Sequence, residues 1–599
     1  MLRRVLVAGT GLAACLLIAG VFVRPAPIDP IAVPSSDVAE LFDPTPLARG
    51  LCGGDGGPTQ SLQKLVQLFA APAAMAAVDA TDMPILYDNL GDFHAPISTE
   101  NEEAQAYFDQ GLKLVFGFNH AEAIRAFKAA QQLDPSCAMC FWGEALALGP
   151  NINAPMDPEA NAPAWAAIRV ALALKDEKPE HEMALIDALA TRYTNDAEPN
   201  RIALDAAYAA AMEQVHRAFP NNLTIATLYA EAVMDTQPWD YWEADFATPK
   251  GQMGMALEAI EGVLHRDPAH PGAIHLYIHV TEASVNPWRA EPYADTLLTL
   301  MPGQGHLVHM PSHTYYRIGR FKDSLDANVL AVAADEDYLL TAGDGPVYRY
   351  GYYPHNVHFL MTSAQMAGDK GHALEAAEKL SQILNNDIVA AVPWVQPVKA
   401  APYLTHAQFS DPATILVQPA PPAQFPFVTA LWEYTRGVAY ARQGNAVLAR
   451  QAVQRIATIR ETADLQVLID GAVPAPEILM VAEKVLSGRI AMAGKKYDRA
   501  AELFADAVAL QDGLAYTEPP YWYFPVRQSQ GAALLLGGRT EEAMQIFRES
   551  LVRVPNNGWA LYGLMKSYET AGDLFAATYT RQLFEEAWAG DEAPTLESL

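Results

Sequence analysis

From about residue 100 onward, apolar and polar positions follow each other at helical spacing in Ala-rich runs punctuated by Gly and Pro. Hardly any stretch shows the strict alternation of a half-buried strand, so the pattern predicts an all-α fold. The runs also recur in one register. Small residues fall where two helices of a hairpin cross, large apolar residues fall between them, and a Pro follows the second helix. In the segment from Ala104 these positions are Gly111, Ala123, Phe127, Ala130 and Pro135. Gly531, Ala543, Phe547, Ser550 and Pro555 repeat the spacing, with Gly488, Ala500, Phe504 and Ala507 one unit before them. Weaker units stand at Gly437/Tyr440/Ala449 and at Ser312/Ser324/Ala331. Helix pairs at a period of about 34 residues are the mark of a tetratricopeptide-repeat α-solenoid.

Pro- and Tyr-rich stretches interrupt the period at 340–355 and 385–428. The expected organisation is a signal peptide or membrane anchor at 1–23 and a Pro/Ala/Gly-rich linker at 24–100. A first repeat array at 101–385, a Pro-rich insertion at 386–428 and a second array at 429–590 follow. The opening Met1-Leu-Arg-Arg and the apolar run Val5 to Val23 predict export to the periplasm or cell envelope. Either the whole run acts as a signal anchor, or Leu12-Ala13-Ala14-Cys15 serves as a lipoprotein signal. Membrane contact is expected only through this segment.

With 599 residues, 51% of them hydrophobic and 18% charged, the chain is long and apolar enough to fold, and its net charge is −30. That charge repels phosphate backbones and anionic headgroups, which excludes nucleic acid and membrane surfaces as partners and favours cations. Of the four cysteines, Cys15 lies in the signal, which leaves the odd number Cys52, Cys137 and Cys140 and argues against a disulfide framework.

Histidine carries the candidate chemistry. His275 and His279 recur one repeat later (309 − 275 = 34) as His309 and His313. Nine of the fifteen histidines lie between His265 and His358, His270 among them. In the repeat register His275, His279 and Glu282 take positions 5, 9 and 12 of one first helix. His306, His309 and His313 take 2, 5 and 9 of the next, and His355 and His358 take 2 and 5 of a third. Positions 2, 5, 9 and 12 line the concave groove, so these side chains converge. Glu231 and Asp235, one unit earlier, are expected to flank the same groove.

Imidazoles with a carboxylate suit Cu, Zn or Fe, and so many histidines exceed what one ion needs. The metal set is His275, His279, Glu282, His306, His309, His313, His355 and His358, with Glu282 as ligand or general base. The same groove residues serve equally in binding a peptide or protein, or as satisfied structural histidines stacked on Tyr277, Tyr315 and Tyr316. A second candidate is Cys137-Ala-Met-Cys140, either a local disulfide or a soft-metal site that His120 approaches.

The strings Asn119-His-Ala-Glu-Ala, Asp134-Pro-Ser-Cys-Ala-Met-Cys-Phe-Trp-Gly143, His270-Pro-Gly-Ala-Ile-His-Leu-Tyr-Ile-His279 with Glu282, and Gly305-His-Leu-Val-His-Met-Pro-Ser-His313 with Arg317 and Gly319 resemble a family of large exported bacterial tetratricopeptide-repeat proteins. The resemblance covers about residues 100 to 385 and implies the architecture and export, with no reaction attached. Two functions compete. One is an exported repeat protein holding one or two transition-metal ions in its groove, either as a metal-dependent hydrolase or oxidase or as a metal store. The other is a non-catalytic interaction scaffold of the cell envelope. No P-loop, dinucleotide fingerprint, nucleophile elbow or His-Glu-x-x-His string occurs.

Overall fold

A computed structural model describes residues 83–341 and 348–599. The expected signal, most of the linker, Cys15 and Cys52 lie outside the described residues. Those described belong to one compact unit, and no helix among them is long and apolar enough to cross a membrane. They contain no β-strand, only the isolated bridges Asn151–Ala154 and Trp242–Pro249. The fold is an all-α tetratricopeptide-repeat solenoid.

Its unit is the antiparallel helix pair. Glu102–Phe116 packs on His120–Leu133, Tyr353–Ala367 on Lys370–Ile383, Ala475–Ala493 on Tyr497–Asp512, and Val526–Leu536 on Thr540–Arg553. The small residues of the repeat sit where the sequence places them, and the reason is steric. A Cβ on Gly111 would lie 2.6 Å from the Phe127 ring, and one on Gly143, in the next unit, 2.4 Å from it. Phe127 is thus clasped between two helix backbones, and Ala123, Phe127 and Ala130 are fully buried. Phe547 repeats the arrangement between Gly531 and Gly563. Asn and Asp side chains start many of the helices. Asn101 accepts from the amides of Glu103 and Ala104, and Asn222 from that of Ile225.

Residues 83–100 form no helix and are pinned to the first hairpin. The carbonyls of Pro84 and Ile85 accept from Tyr107 Oη and Gln110 Nε2 at 2.7 and 2.9 Å, and that of Gly91 accepts from Lys113 Nζ at 2.6 Å. Within 386–428 the chain forms the helices Asn386–Ala391, Gln396–Phe409 and Pro412–Leu416. Two apolar cores, one running from Leu90 to Tyr352 and one from Leu325 to Leu599, meet along the helix Phe321–Thr341.

Candidate metal centre

Four helices, three on the first core and one on the second, bring the histidines together. Helix Pro271–Glu282 starts with His270, whose Nδ1 accepts from the Ala273 amide, and with Pro271 in its first turn. It projects His275, His279 and Glu282. The next strip, expected as one helix, is two: Gly305–His309 and Pro311–Ile318, because Pro311 cannot continue the backbone ladder. His306, His309 and His313 straddle the break, yet the His309 and His313 ring centres stay 4.6 Å apart. Helix Tyr353–Ala367 adds His355.

The rings form two adjoining trios. In His275, His279 and His306, and likewise in His309, His313 and His355, the ligand atoms lie within 4.8 Å of one another. The trios touch: ring centres are 6.1 Å apart for His306 and His309, and 6.0 Å for His279 and His313. Except for the half-buried His355, all six rings are buried.

The outer nitrogens of four of the rings are fixed by acceptors. His275 Nδ1 donates to the Phe116 carbonyl at 2.6 Å, and His309 Nδ1 to Asn328 Oδ1 at 2.6 Å. Glu282 spans both trios, with Oε1 2.9 Å from His279 Nδ1 and Oε2 2.5 Å from His313 Nδ1. The inner nitrogens are orphaned. Nε2 of His275 and of His279 and both nitrogens of His306 are buried without a hydrogen-bond partner, each such orphan costing about 1–3 kcal/mol. His309 Nε2 faces His313 Nε2 at 2.7 Å. An imidazole held by its outer N–H, with its inner lone pair aimed at a shared space, is the arrangement that metal-binding histidines adopt.

Electrostatics divide the rings. Burial, with the backing of neighbouring rings, pushes His279, His306 and His309 well below the ordinary imidazole range, and burial brings His275 and His355 down to about 3. These five stay neutral, and the lone pair of His309 Nε2 accepts from the protonated His313 Nε2 at 2.7 Å. Burial also disfavours charge on His313, but Glu282 and Glu518 outweigh it and lift His313 to about 10. Burial and the nearby Glu518 raise Glu282 well above the carboxylate range. Glu518, despite its own burial, is drawn down to about 2 by His313.

Glu518 is the residue that sequence reasoning missed. It sits 2.8 Å from His313 Nδ1 and forms a third cluster with Glu282 and His313. Its only signal is the Pro- and aromatic-rich break Tyr516-Thr-Glu-Pro-Pro-Tyr-Trp-Tyr-Phe524 in the second half's period. Tyr516 Oη donates to Glu518, and Arg317, whose Nε donates to the Glu282 carbonyl at 2.7 Å, lies over the Tyr516 ring.

Other expected members stand elsewhere. His358 turns from the trios to Tyr523, with Nε2 2.7 Å from its hydroxyl, so the third helix contributes its position 2 rather than its position 5. Both oxygens of Glu282 face imidazole nitrogens, which places it behind the rings instead of facing a substrate. Glu231 and Asp235, expected to flank this groove, border a separate cavity with His120 and Arg192. Cys137 and Cys140 are joined in a buried disulfide that leaves no thiolate there for an ion, and His120 lies beside Asn151. Aromatic rings pack against the trios. Phe118 lies 4.4 Å from His275, Tyr352 4.4 Å from His306, Trp239 5.1 Å from His279, and Phe359 4.6 Å from His313, centre to centre.

The chain matches no protein-family model and no curated protein sequence. Among solved structures it is similar to the human IFIT1 dimer with m7Gppp-AAAA, at 12% identity and TM-score 0.28 over 92% of this chain and 98% of that one. It is also similar to the TPR domain of P58(IPK), at 13% identity and TM-score 0.22 over 79% and 99%, and to yeast Tom70, at 10% identity and TM-score 0.26 over 81% and 93%. At such scores these likenesses carry no argument about ligands, and the RNA belongs to IFIT1.

Proposed function

We propose that this protein is an exported metalloprotein whose two histidine trios hold a pair of transition-metal ions, copper, zinc or iron. The observation that carries the reading is the set of orphaned inner nitrogens on His275, His279 and His306; in the second trio His313 Nε2 donates to His309 Nε2 at 2.7 Å, a bond that an ion would replace. Three imidazoles, His313 giving up its proton in the second trio, would fill three positions of a four-coordinate zinc or copper ion, so each ion would keep one position for water or a small reactant. The aromatic cover limits such a reactant to a molecule of a few atoms. Glu282, Glu518 and Asn328 orient the rings and accept their protons.

Elemental analysis of tag-free protein tests the reading. It is expected to find close to two transition-metal ions per chain, lost when His275→Ala is combined with His309→Ala. Metal-free protein that gains no ion on incubation with zinc, copper(I) or iron(II) would refute it. A second reading, an interaction scaffold, is favoured by the last helix, Leu574–Ala587, where Leu574, Phe575 and Tyr579 are 71%, 87% and 61% exposed.

A further inference from the structure

Outside the histidine trios, the first array contains a partly open cavity of about 10 Å³, room for one water-sized group. Its polar wall is His120, Arg192, Tyr208, Glu231 and Asp235, and its apolar wall includes Leu146 and Leu228. With every carboxyl group ionised, the charges around it do not balance. Arg192 donates to Asp205 at 2.9 Å through Nε and to Asp235 at 2.7 Å through Nη2, and Arg201 donates to Asp205 at 2.7 Å. Two guanidiniums therefore answer Asp205 and Asp235, and Glu231, which shares the cavity wall with Asp235, has no ion pair of its own among the described residues, although the Arg192 charge acts on it. Asp235, with its side chain 2% exposed, keeps Oδ1 without a hydrogen-bond partner. His120 does not supply the missing charge, because burial and the Arg192 guanidinium hold it down to about 4.

We propose that this cavity binds one protonated nitrogen, either an ammonium ion or the head of a primary amine, between Glu231 and Asp235. The size admits a single nitrogen with its hydrogens. The wall offers Asp235 Oδ1 and the Glu231 carboxyl as acceptors, with the Tyr208 hydroxyl beside them. The added charge brings three cations against three carboxylates. Without it, burial and Asp235 drive the Glu231 carboxyl up to about 8, so that it stays protonated at neutral pH. Buried carboxylates are tolerated when each meets a cation in hydrogen-bonding contact.

Thermal unfolding of the full chain in chlorides of ammonium, methylammonium, sodium, potassium and tetramethylammonium, at one ionic strength, tests the site. Ammonium is expected to raise the midpoint saturably while sodium, potassium and tetramethylammonium do not. A response to methylammonium assigns the site to amine heads, and its failure assigns it to the free ion. The Glu231 side chain makes no hydrogen bond among the described residues, so Glu231→Gln leaves the fold intact and is expected to weaken the ammonium response roughly 30-fold or more. Equal shifts in every chloride, or an undiminished response in E231Q, would overturn the proposal, since the cavity would then hold water alone.

Discussion

Asn328 holds His309 by accepting its Nδ1 hydrogen, while its own amide is anchored by donating to the Ser324 carbonyl at 2.7 Å. The ring is thereby locked as the tautomer whose lone pair sits on Nε2. Asn328→Ala removes that lock without touching a ligand atom, and metal affinity in a competition titration is expected to fall about 10–100-fold with the helix content unchanged. His313 sets the pH dependence. Lifted to about 10 by Glu282 and Glu518, it carries a proton at neutral pH that a metal ion must displace. Below that value proton and ion compete, so affinity rises with pH, about tenfold per unit for one proton. Titrations at several pH values, with proton release measured in two buffers, check the slope, and a flat profile would remove His313 from the ligand set. At this scale the sequence revealed the rings but not their supports. His275 and His309 declare themselves by recurring one repeat apart, whereas Glu518 is 205 positions from His313 (518 − 313) and reaches it only through tertiary closure.

Each hairpin's crossing is set by local sterics, which is why its register reads directly from the chain. Phe547 is the clearest case: a Cβ on Gly563 would lie 2.1 Å from its ring, and the ring cannot retreat because Gly531 closes the other side. Gly563→Ala is expected to destabilise by about 1–3 kcal/mol despite the better helix propensity of alanine, read as a lower midpoint in thermal unfolding. Where elements depart from the repeat, the template misleads. Pro311 splits the expected second histidine helix, and the irregular turn Tyr348–Tyr352 ahead of Tyr353–Ala367 leaves His355 at the cluster and His358 against Tyr523. A strict period carries neither a proline break nor an altered lead-in turn, so one ligand position in the third unit was misassigned.

Across the whole molecule, the trios join helices from successive units and a loop from the far half. Ions seated there would bind only the folded arrangement, so chelation is expected to lower the unfolding midpoint and re-addition of the metal to restore it. At a free concentration of about 1,000 Kd, a single ion adds about 4 kcal/mol. Scanning calorimetry of dialysed and reloaded protein measures the difference, and identical curves would mean that the ions, if held, do not bridge these elements. The all-α class and paired helices were legible because helical periodicity is continuous over hundreds of residues. The aromatic packing on the trios was not, since Phe118, Trp239 and Tyr352 reach them from connecting turns, two of them with left-handed backbone at φ 54° and 66°.

The reach of Glu518 back to His313 fixes an order of events in the life of the molecule. Synthesis runs from the amino end, so every ring is made long before the loop that brings the second carboxylate, Glu518, beside them. A nascent chain therefore lacks the finished cage until nearly nine-tenths of it has left the ribosome, and one threaded unfolded through a translocation pore arrives empty. On the proposed reading, the ion would be drawn from the supply at the destination, and selectivity would be set by where folding ends as much as by the donors themselves.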